Sequence, residues 1–368
     1  MAVAANIRRP AVCGLAAFGL VAGFLVALAG PASSAVPDHW GFAYVNNPSV
    51  AGIPDMNHQA GSWPAPFKVH VAPGLVGQVN VAFPRIATKG GVVHVTAVSA
   101  NPAWCQAQKW RPSGPNEVAV VRCFKPGGAP VFVPFSISFS ASSKGPFPAG
   151  RAYGYVHFEP ATGIVAGFNS AGGPNHVVPG PVGVWKVTLP GLGSSGVSGN
   201  VQVTAVNPAK PAKCELNGWA PSAAGQTFQV RCFNAGTTPL DTGWTLTYDR
   251  GRTVLGTQPK LFAYTFDNHP SLAGPYAPAP AAVNFNSAAG TNMIRSAGTG
   301  LRLVVFPSVG VLPNNVLVSS FKVGAGFCNL LSPWATSSSQ VTVRDVACYT
   351  PTGTLKNQPS LITYASGS

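Results

Sequence analysis

Apolar and polar positions alternate in short runs along most of the chain. Val201-Gln202-Val203-Thr204-Ala205-Val206, Thr227-Phe228-Gln229-Val230-Arg231-Cys232-Phe233 and Trp244-Thr245-Leu246-Thr247-Tyr248 each follow a period of two. So do Trp185-Lys186-Val187-Thr188-Leu189 and Leu301-Arg302-Leu303-Val304-Val305-Phe306. That period sends successive side chains to opposite faces. Such runs, β-branched and bounded by Gly, Pro and Asn, predict half-buried strands. No segment shows convincing helical spacing with caps. The pattern predicts an all-β chain of two-layer sandwiches, with jelly-roll or immunoglobulin-like connectivity open.

The runs recur. Val95-Thr96-Ala97-Val98 returns as Val203-Thr204-Ala205-Val206 and, more loosely, as Val318-Ser319-Ser320-Phe321. Val121-Arg122-Cys123-Phe124 returns as Val230-Arg231-Cys232-Phe233 and Val346-Ala347-Cys348-Tyr349. Trp110, Trp219 and Trp334 each follow the first cysteine of a pair, and read as core residues packed on a disulfide. Phe42-Ala43-Tyr44-Val45, Tyr153-Gly154-Tyr155-Val156 and Phe262-Ala263-Tyr264-Thr265 open the three copies. The implied modules are 39–141, 150–250 and 260–366. Their joints, Ser142 to Pro146 and Gly251 to Pro259, are short and polar or rich in Pro and Gly. They predict beads on a fairly stiff string.

The N-terminus adds a compartment. Arg8-Arg9, an apolar run from Ala11 to Ala29, and Ala32-Ser33-Ser34-Ala35 are ordered as a secretory signal peptide over residues 1–35. Sec and twin-arginine export both remain open. Cleavage after Ala35 would remove Cys13 and leave six cysteines. An even number in an exported chain predicts disulfides, paired within each copy as Cys105–Cys123, Cys214–Cys232 and Cys328–Cys348. Each closes a loop of 18, 18 or 20 residues, which stabilises by about 3 kcal/mol on a chain-entropy argument. The immunoglobulin pattern needs a more widely spaced pair with the tryptophan between, so this spacing argues against it.

These residues resemble a module of secreted proteins from high-GC Gram-positive bacteria. The resemblance rests on the aromatic opening, an Asn-rich stretch, Leu189-Pro190-Gly191-Leu192, then Gly199-Asn200-Val201-Gln202-Val203-Thr204-Ala205, Cys…Trp and Val-Arg-Cys-Phe. It covers nearly all of the mature chain and is best in the second copy. It implies secretion and a β module, and no assigned activity. The family often carries an Asp after the second cysteine. Asp241 matches it, whereas the first copy has Phe132 and the third Lys356 or Asn357.

Candidate chemistry is sparse. The nine carboxylates are scattered, and none recurs in all three copies, so the paired acids of a glycosidase are not in view. Histidines show no zinc spacing. His70 and His176 share a module position that Met293 fills in the third copy, as a packing residue would. No Gly-x-Ser-x-Gly elbow occurs. The expectation is a chain that is not an enzyme and needs no cofactor or metal. Once the leader is removed, 21 Lys+Arg face nine Asp+Glu, a charge of +12. That excess suggests anionic partners, such as cell-wall polymer or polysaccharide, more than nucleic acid, which wants a denser basic stripe. Candidate ligand contacts are Trp63 and Trp104, in loop-like sequence, and the clusters Lys109 with Arg111 and Arg250 with Arg252. For Trp63 and Trp104 the favoured reading is an aromatic that covers a module joint. The leading expectation is a secreted or cell-surface spacer or binding protein. The alternatives are an exported hydrolase with its site at a module interface, and a self-assembling envelope protein. No apolar stretch after the leader could span a bilayer, and oligomeric state stays open.

Overall fold

A computed structural model describes residues 38–142, 147–256, 261–322 and 324–367. The proposed leader and Cys13 lie outside the described residues, as do most of the first joint and part of the second, with Lys144 and Lys260. The first module holds β1 (His39–Val45), β2 (Gln59–Gly61), β3 (His70–Pro73), β4 (Gln78–Phe83), β5 (Val92–Ala97), β6 (Trp104–Ser113), β7 (Asn116–Phe124) and β8 (Phe135–Ala141). The second holds β9 (Ala152–Glu159), β10 (Gly163–Asn169), β11 (His176–Pro179), β12 (Val184–Pro190), β13 (Asn200–Val206), β14 (Ala212–Ser222), β15 (Gly225–Asn234) and β16 (Gly243–Arg250). The third holds β17 (Phe262–Asp267), β18 (Asn284–Asn286), β19 (Met293–Gly298), β20 (Leu301–Phe306), β21 (Asn314–Ser320), β22 (Phe327–Leu330), β23 (Ala335–Ser337), β24 (Gln340–Tyr349) and β25 (Ser360–Ser366). Among the described residues the only helical pieces are two 3-10 turns, Met56–His58 and Ala281–Val283.

Each module is a sandwich of two four-stranded layers, and one layer of the first module runs on into one of the second through β6 and β13 as an eight-stranded sheet. In the first module the orders are β2-β1-β8-β5 and β3-β4-β7-β6, and the other two modules repeat both orders with their own strands. In the third, β23 adds to β24. The alternating apolar residues meet between the sheets: Val45, Val81, Val95, Val121 and Ile137 share one buried core. Each disulfide joins neighbouring strands of one sheet, with Cys105 opposite Cys123, Cys214 opposite Cys232 and Cys328 opposite Cys348. This differs from the immunoglobulin arrangement, where the bridge crosses between sheets.

The residues that mark the modules in sequence hold their loops. Asn169 donates from Nδ2 to Asn175 Oδ1 (3.0 Å) and Pro190 O (2.9 Å), while Asn175 donates to Tyr155 O and Phe168 O. Asn286 and Asn292 repeat this network on Pro307, Tyr264 and Phe285. Asp241 Oδ1 accepts the Gly183 amide at 2.7 Å, and Asn357 Oδ1 accepts the Gly300 amide at 2.6 Å. Asn357, rather than Lys356, therefore takes the role of Asp241. Both glycines have positive φ, +72° and +71°, so the side-chain oxygen caps a turn that glycine permits.

The modules are not beads. Val36–Ser368 forms one compact unit. The strands that meet at its centre are β5, β13 and β21, and every residue in all three is buried. Their alternation reads as one wet face, but that polar face lies against the other modules. A strand edge buried in this way must find partners for its amides. Three equivalent backbone bonds supply some of them: Asn207 N to Ala107 O (3.0 Å), Lys322 N to Leu216 O (2.9 Å) and Ser99 N to Leu330 O (2.7 Å). Thus module 2 bonds module 1, module 3 bonds module 2, and module 1 bonds module 3. Three hydroxyls supply others. Thr204 Oγ1 accepts from Val95 N (3.3 Å), Ser319 Oγ from Val203 N (2.9 Å) and Thr96 Oγ1 from Val318 N (2.9 Å). A head-to-tail contact repeated in this way either runs on or closes, and here three copies close it into a ring.

Candidate binding surface

Two regions carry unusual chemistry: the middle of the ring and its outer surface. At the middle, the residue before each first cysteine differs between modules. Trp104, Lys213 and Phe327 meet there. The Lys213 ammonium lies 4.9 Å from the Trp104 ring centre and 5.5 Å from that of Phe327. The two rings are 5.3 Å apart. Lys213 Nζ donates to Ala325 O (2.6 Å), Ala235 O (3.2 Å) and Gly236 O (3.3 Å). Burial pulls its pKa down from the usual lysine range to about 8, because removing the ammonium from water disfavours its charge. A small cavity of about 50 Å³ adjoins it, lined in part by Thr96, Thr204 and Ser319.

Trp104 is therefore not a loop aromatic open to a sugar. It sits in β6, 5% exposed, with Nε1 donating to Ala212 O of the second module at 3.1 Å. Its place beside Cys105 reads as loop-like in sequence. Its burial comes from the neighbouring module, which local sequence does not display. Trp63 is half-buried and caps the end of the first sandwich, 6.2 Å from Phe83. Its ring lies so close over Gly61 that a Cβ there would come within 1.9 Å of it. Trp110, Trp219 and Trp334 pack against the clusters that contain their own disulfides. Trp110 and Trp334 also meet a neighbouring module, at His157 (4.3 Å) and His58 (5.1 Å).

Lys109 and Arg111 are exposed on β6. Arg250 and Arg252 are half-buried. Arg250 donates to Gly193 O at 2.7 Å, and the Arg252 guanidinium lies 4.0 Å over Phe147. Burial and Arg151 lower the Arg252 pKa, while Asp38 opposes them.

The outer surface is more one-signed than composition implies. Glu117, Glu215, Asp249 and Asp267 are buried. Asp267 pairs with Arg302 at 2.9 Å, and Asp249 accepts Asn200 Nδ2 at 3.0 Å. Burial raises Asp249 well above the carboxylate range and Glu117 to about 7, although the Thr88 amide bond opposes the shift in Glu117. Among the described residues Asp241 is the one carboxylate with an exposed side chain. Against it stand exposed Arg85, Lys89, Lys109, Arg111, Lys125, Arg151, Lys186, Lys210, Arg295, Lys322, Arg344 and Lys356. Sequence counting finds the charge excess but not this partition.

Of the histidines at module contacts, His58 and His157 meet an indole and also a carboxylate, Asp55 at 2.9 Å and Glu159 at 3.3 Å, whereas His94 meets hydroxyls. His94 is fully buried between Thr204 Oγ1 (3.2 Å) and Thr247 Oγ1 (2.8 Å) of the second module, and burial drives its pKa down to about 3. Among the described residues no group of three His, Cys, Asp or Glu side chains is placed to hold a metal. No helix among them is long and apolar enough to cross a membrane. Comparison with known proteins finds no matching family, no matching curated protein and no matching solved structure.

Proposed function

We propose that this chain is a non-enzymatic extracellular or cell-surface protein that binds anionic polysaccharide or wall polymer. The observation that carries this reading is the partition of charge: four of the nine carboxylates are buried and one is exposed, against twelve exposed bases, on a compact ring of three disulfide-clipped sandwiches. Such a surface attracts polyanions at long range and lets several weak contacts act together on one polymer. Three disulfides suit an oxidising compartment. Closure of the ring favours a multivalent platform over an extended spacer.

The test is retention of the mature protein, disulfides intact, on purified cell wall and on immobilised anionic and neutral polysaccharides across a salt series. Retention on anionic material that falls steeply with salt is expected, because screening removes surface attraction. Salt-independent retention on neutral polymer, or none on any material, would contradict the reading.

A further inference from the structure

A groove on the first module breaks the likeness among the three. It has a volume of about 460 Å³, within the roughly 300–1,000 Å³ typical of small-molecule sites. Its walls are Ile53, Pro66, Phe67, Pro84 and Pro115, and its polar groups are Lys68, His70, Arg85 and Asn116. No carboxylate lines it. Arg85 is exposed, with its guanidinium 4.6 Å over the Phe67 ring, and its amide donates to Asn116 Oδ1 at 3.3 Å.

Two features mark Arg85 as more than a surface base. Its φ is +58°, in the left-handed region. The equivalent turn after the strand-ending proline carries Gly191 at +75° in the second module and Ser308 at +63° in the third. A long β-carbon side chain is disfavoured there relative to glycine, and a residue kept in such a conformation is a reason to look for a role. Phe67 and Lys68 are likewise replaced, by Gly173 and Pro174 in the second module. The strained backbone, the stacked ring and the second cation occur together in this module alone.

We propose that this groove is a subsite for one unit of an anionic saccharide, a reading that rests on the polyanion-binding function above and deepens it. Arg85 and Lys68 hold the oxyanion, either the carboxylate of a uronate or the phosphate of a sugar phosphate. The fork of a guanidinium suits both geometrically. The rigid proline walls with Ile53 cover the C–H face of the sugar ring, and Asn116 and His70 are placed for its hydroxyls. Phe67 holds Arg85 in position by stacking.

The test uses the mature full-length chain, with Arg85→Gly as the main variant. Glycine is the residue of the second module at this turn, so the change relieves the backbone rather than straining it. Lys186→Gln on β12, an exposed base away from the groove, is the charge control. Calorimetric titrations at low salt use a galacturonate oligomer, a glycerol-phosphate oligomer and a neutral glucan oligomer of similar length. The Arg85 variant is expected to weaken binding of an anionic oligomer by about tenfold or more, with unchanged circular dichroism, while the Lys186 variant stays within about twofold. Loss confined to galacturonate identifies a carboxylate ligand, and loss confined to glycerol phosphate a phosphate ligand; either supports the site. Equal weakening by both variants would overturn the groove and leave the general polyanion reading standing. Neutral glucan bound as tightly as the anionic oligomers would overturn the oxyanion role. No binding of any oligomer by the unaltered chain would overturn the groove, while salt-dependent retention on polymer decides the polyanion reading separately.

Discussion

The centre of the ring and its rim use the same sandwich differently. At the centre the three modules agree in backbone: equivalent amides find equivalent acceptors around a closed circuit. Their side chains differ most sharply at the position of Lys213, where identity would fail. Three lysines at the position of Lys213 would repel, and three bulky aromatics would leave the carbonyls of Ala235, Gly236 and Ala325 without that donor. One cation between two rings satisfies both demands. At the rim the modules diverge freely, as in the Phe67–Arg85 groove, because water satisfies whatever is placed there. The centre therefore carries stability, and on the proposed reading the rim carries recognition. Substitutions in one region should leave the property of the other intact.

The largest break is expected from Lys213→Ala. It removes a buried ammonium with three carbonyl partners, and loses about 3 kcal/mol of unfolding free energy by urea titration. Salt-dependent retention on anionic polymer should be unchanged near neutral pH while the chain stays folded. Thr204→Val comes next. It leaves the Val95 amide without the Thr204 hydroxyl and deprives His94 of one partner, at about 2 kcal/mol on the same titration.

These effects depend on burial that sequence displays only in part. The strands, the three modules and the cysteine pairing were legible because each follows from local alternation or from spacing within one module. The closed ring was not. Thr96, Thr204 and Ser319 alternate with apolar residues just as solvent-facing threonines do, and a period of two cannot say whether water or another protein surface covers the polar face. The one available signal was a hydroxyl residue kept at the same place in all three copies. Trp104 shows the same limit: its local sequence beside Cys105 leaves open a sugar-facing loop or the cover of a module joint, and its burial against the second module fits the cover. At the rim the cationic excess was countable, but not the inward turn of Glu117, Glu215, Asp249 and Asp267.

The pH response sharpens the contrast. His94 is neutral in the folded chain, with its pKa lowered from 6.5 to about 3 by burial. The unfolded chain takes up that proton near pH 6.5, whereas the folded chain resists it. Stability from this group is present above pH 6.5 and is lost as pH falls toward 3, at up to about 1.4 kcal/mol per pH unit. His94→Gln, the residue of the second module at this position (Gln202), should flatten that acid limb in thermal melts across pH. Glu117 acts in the opposite sense. Its carboxyl is raised to about 7, so stability falls as pH rises from the ordinary carboxylate range to about 7, and Glu117→Gln should raise the melting temperature at pH 8 more than at pH 4.

The smallest effect on stability belongs to the rim. Lys186→Gln should change unfolding free energy by no more than about 0.5 kcal/mol and shift elution from anionic polymer across a salt gradient only slightly, as one exposed base among twelve.

The measurement that bears most directly on the closed ring is urea unfolding of the mature, disulfide-intact chain, followed at once by tryptophan fluorescence and far-ultraviolet circular dichroism. Trp104 and Trp334 report on module junctions, and circular dichroism reports on all the sheets. A ring closed by three mutual interfaces should melt as one cooperative transition, with coincident midpoints and a single slope appropriate to the whole unit. Separate transitions, or fluorescence that changes well before the sheets are lost, would mean that the modules stand independently, contradicting the ring.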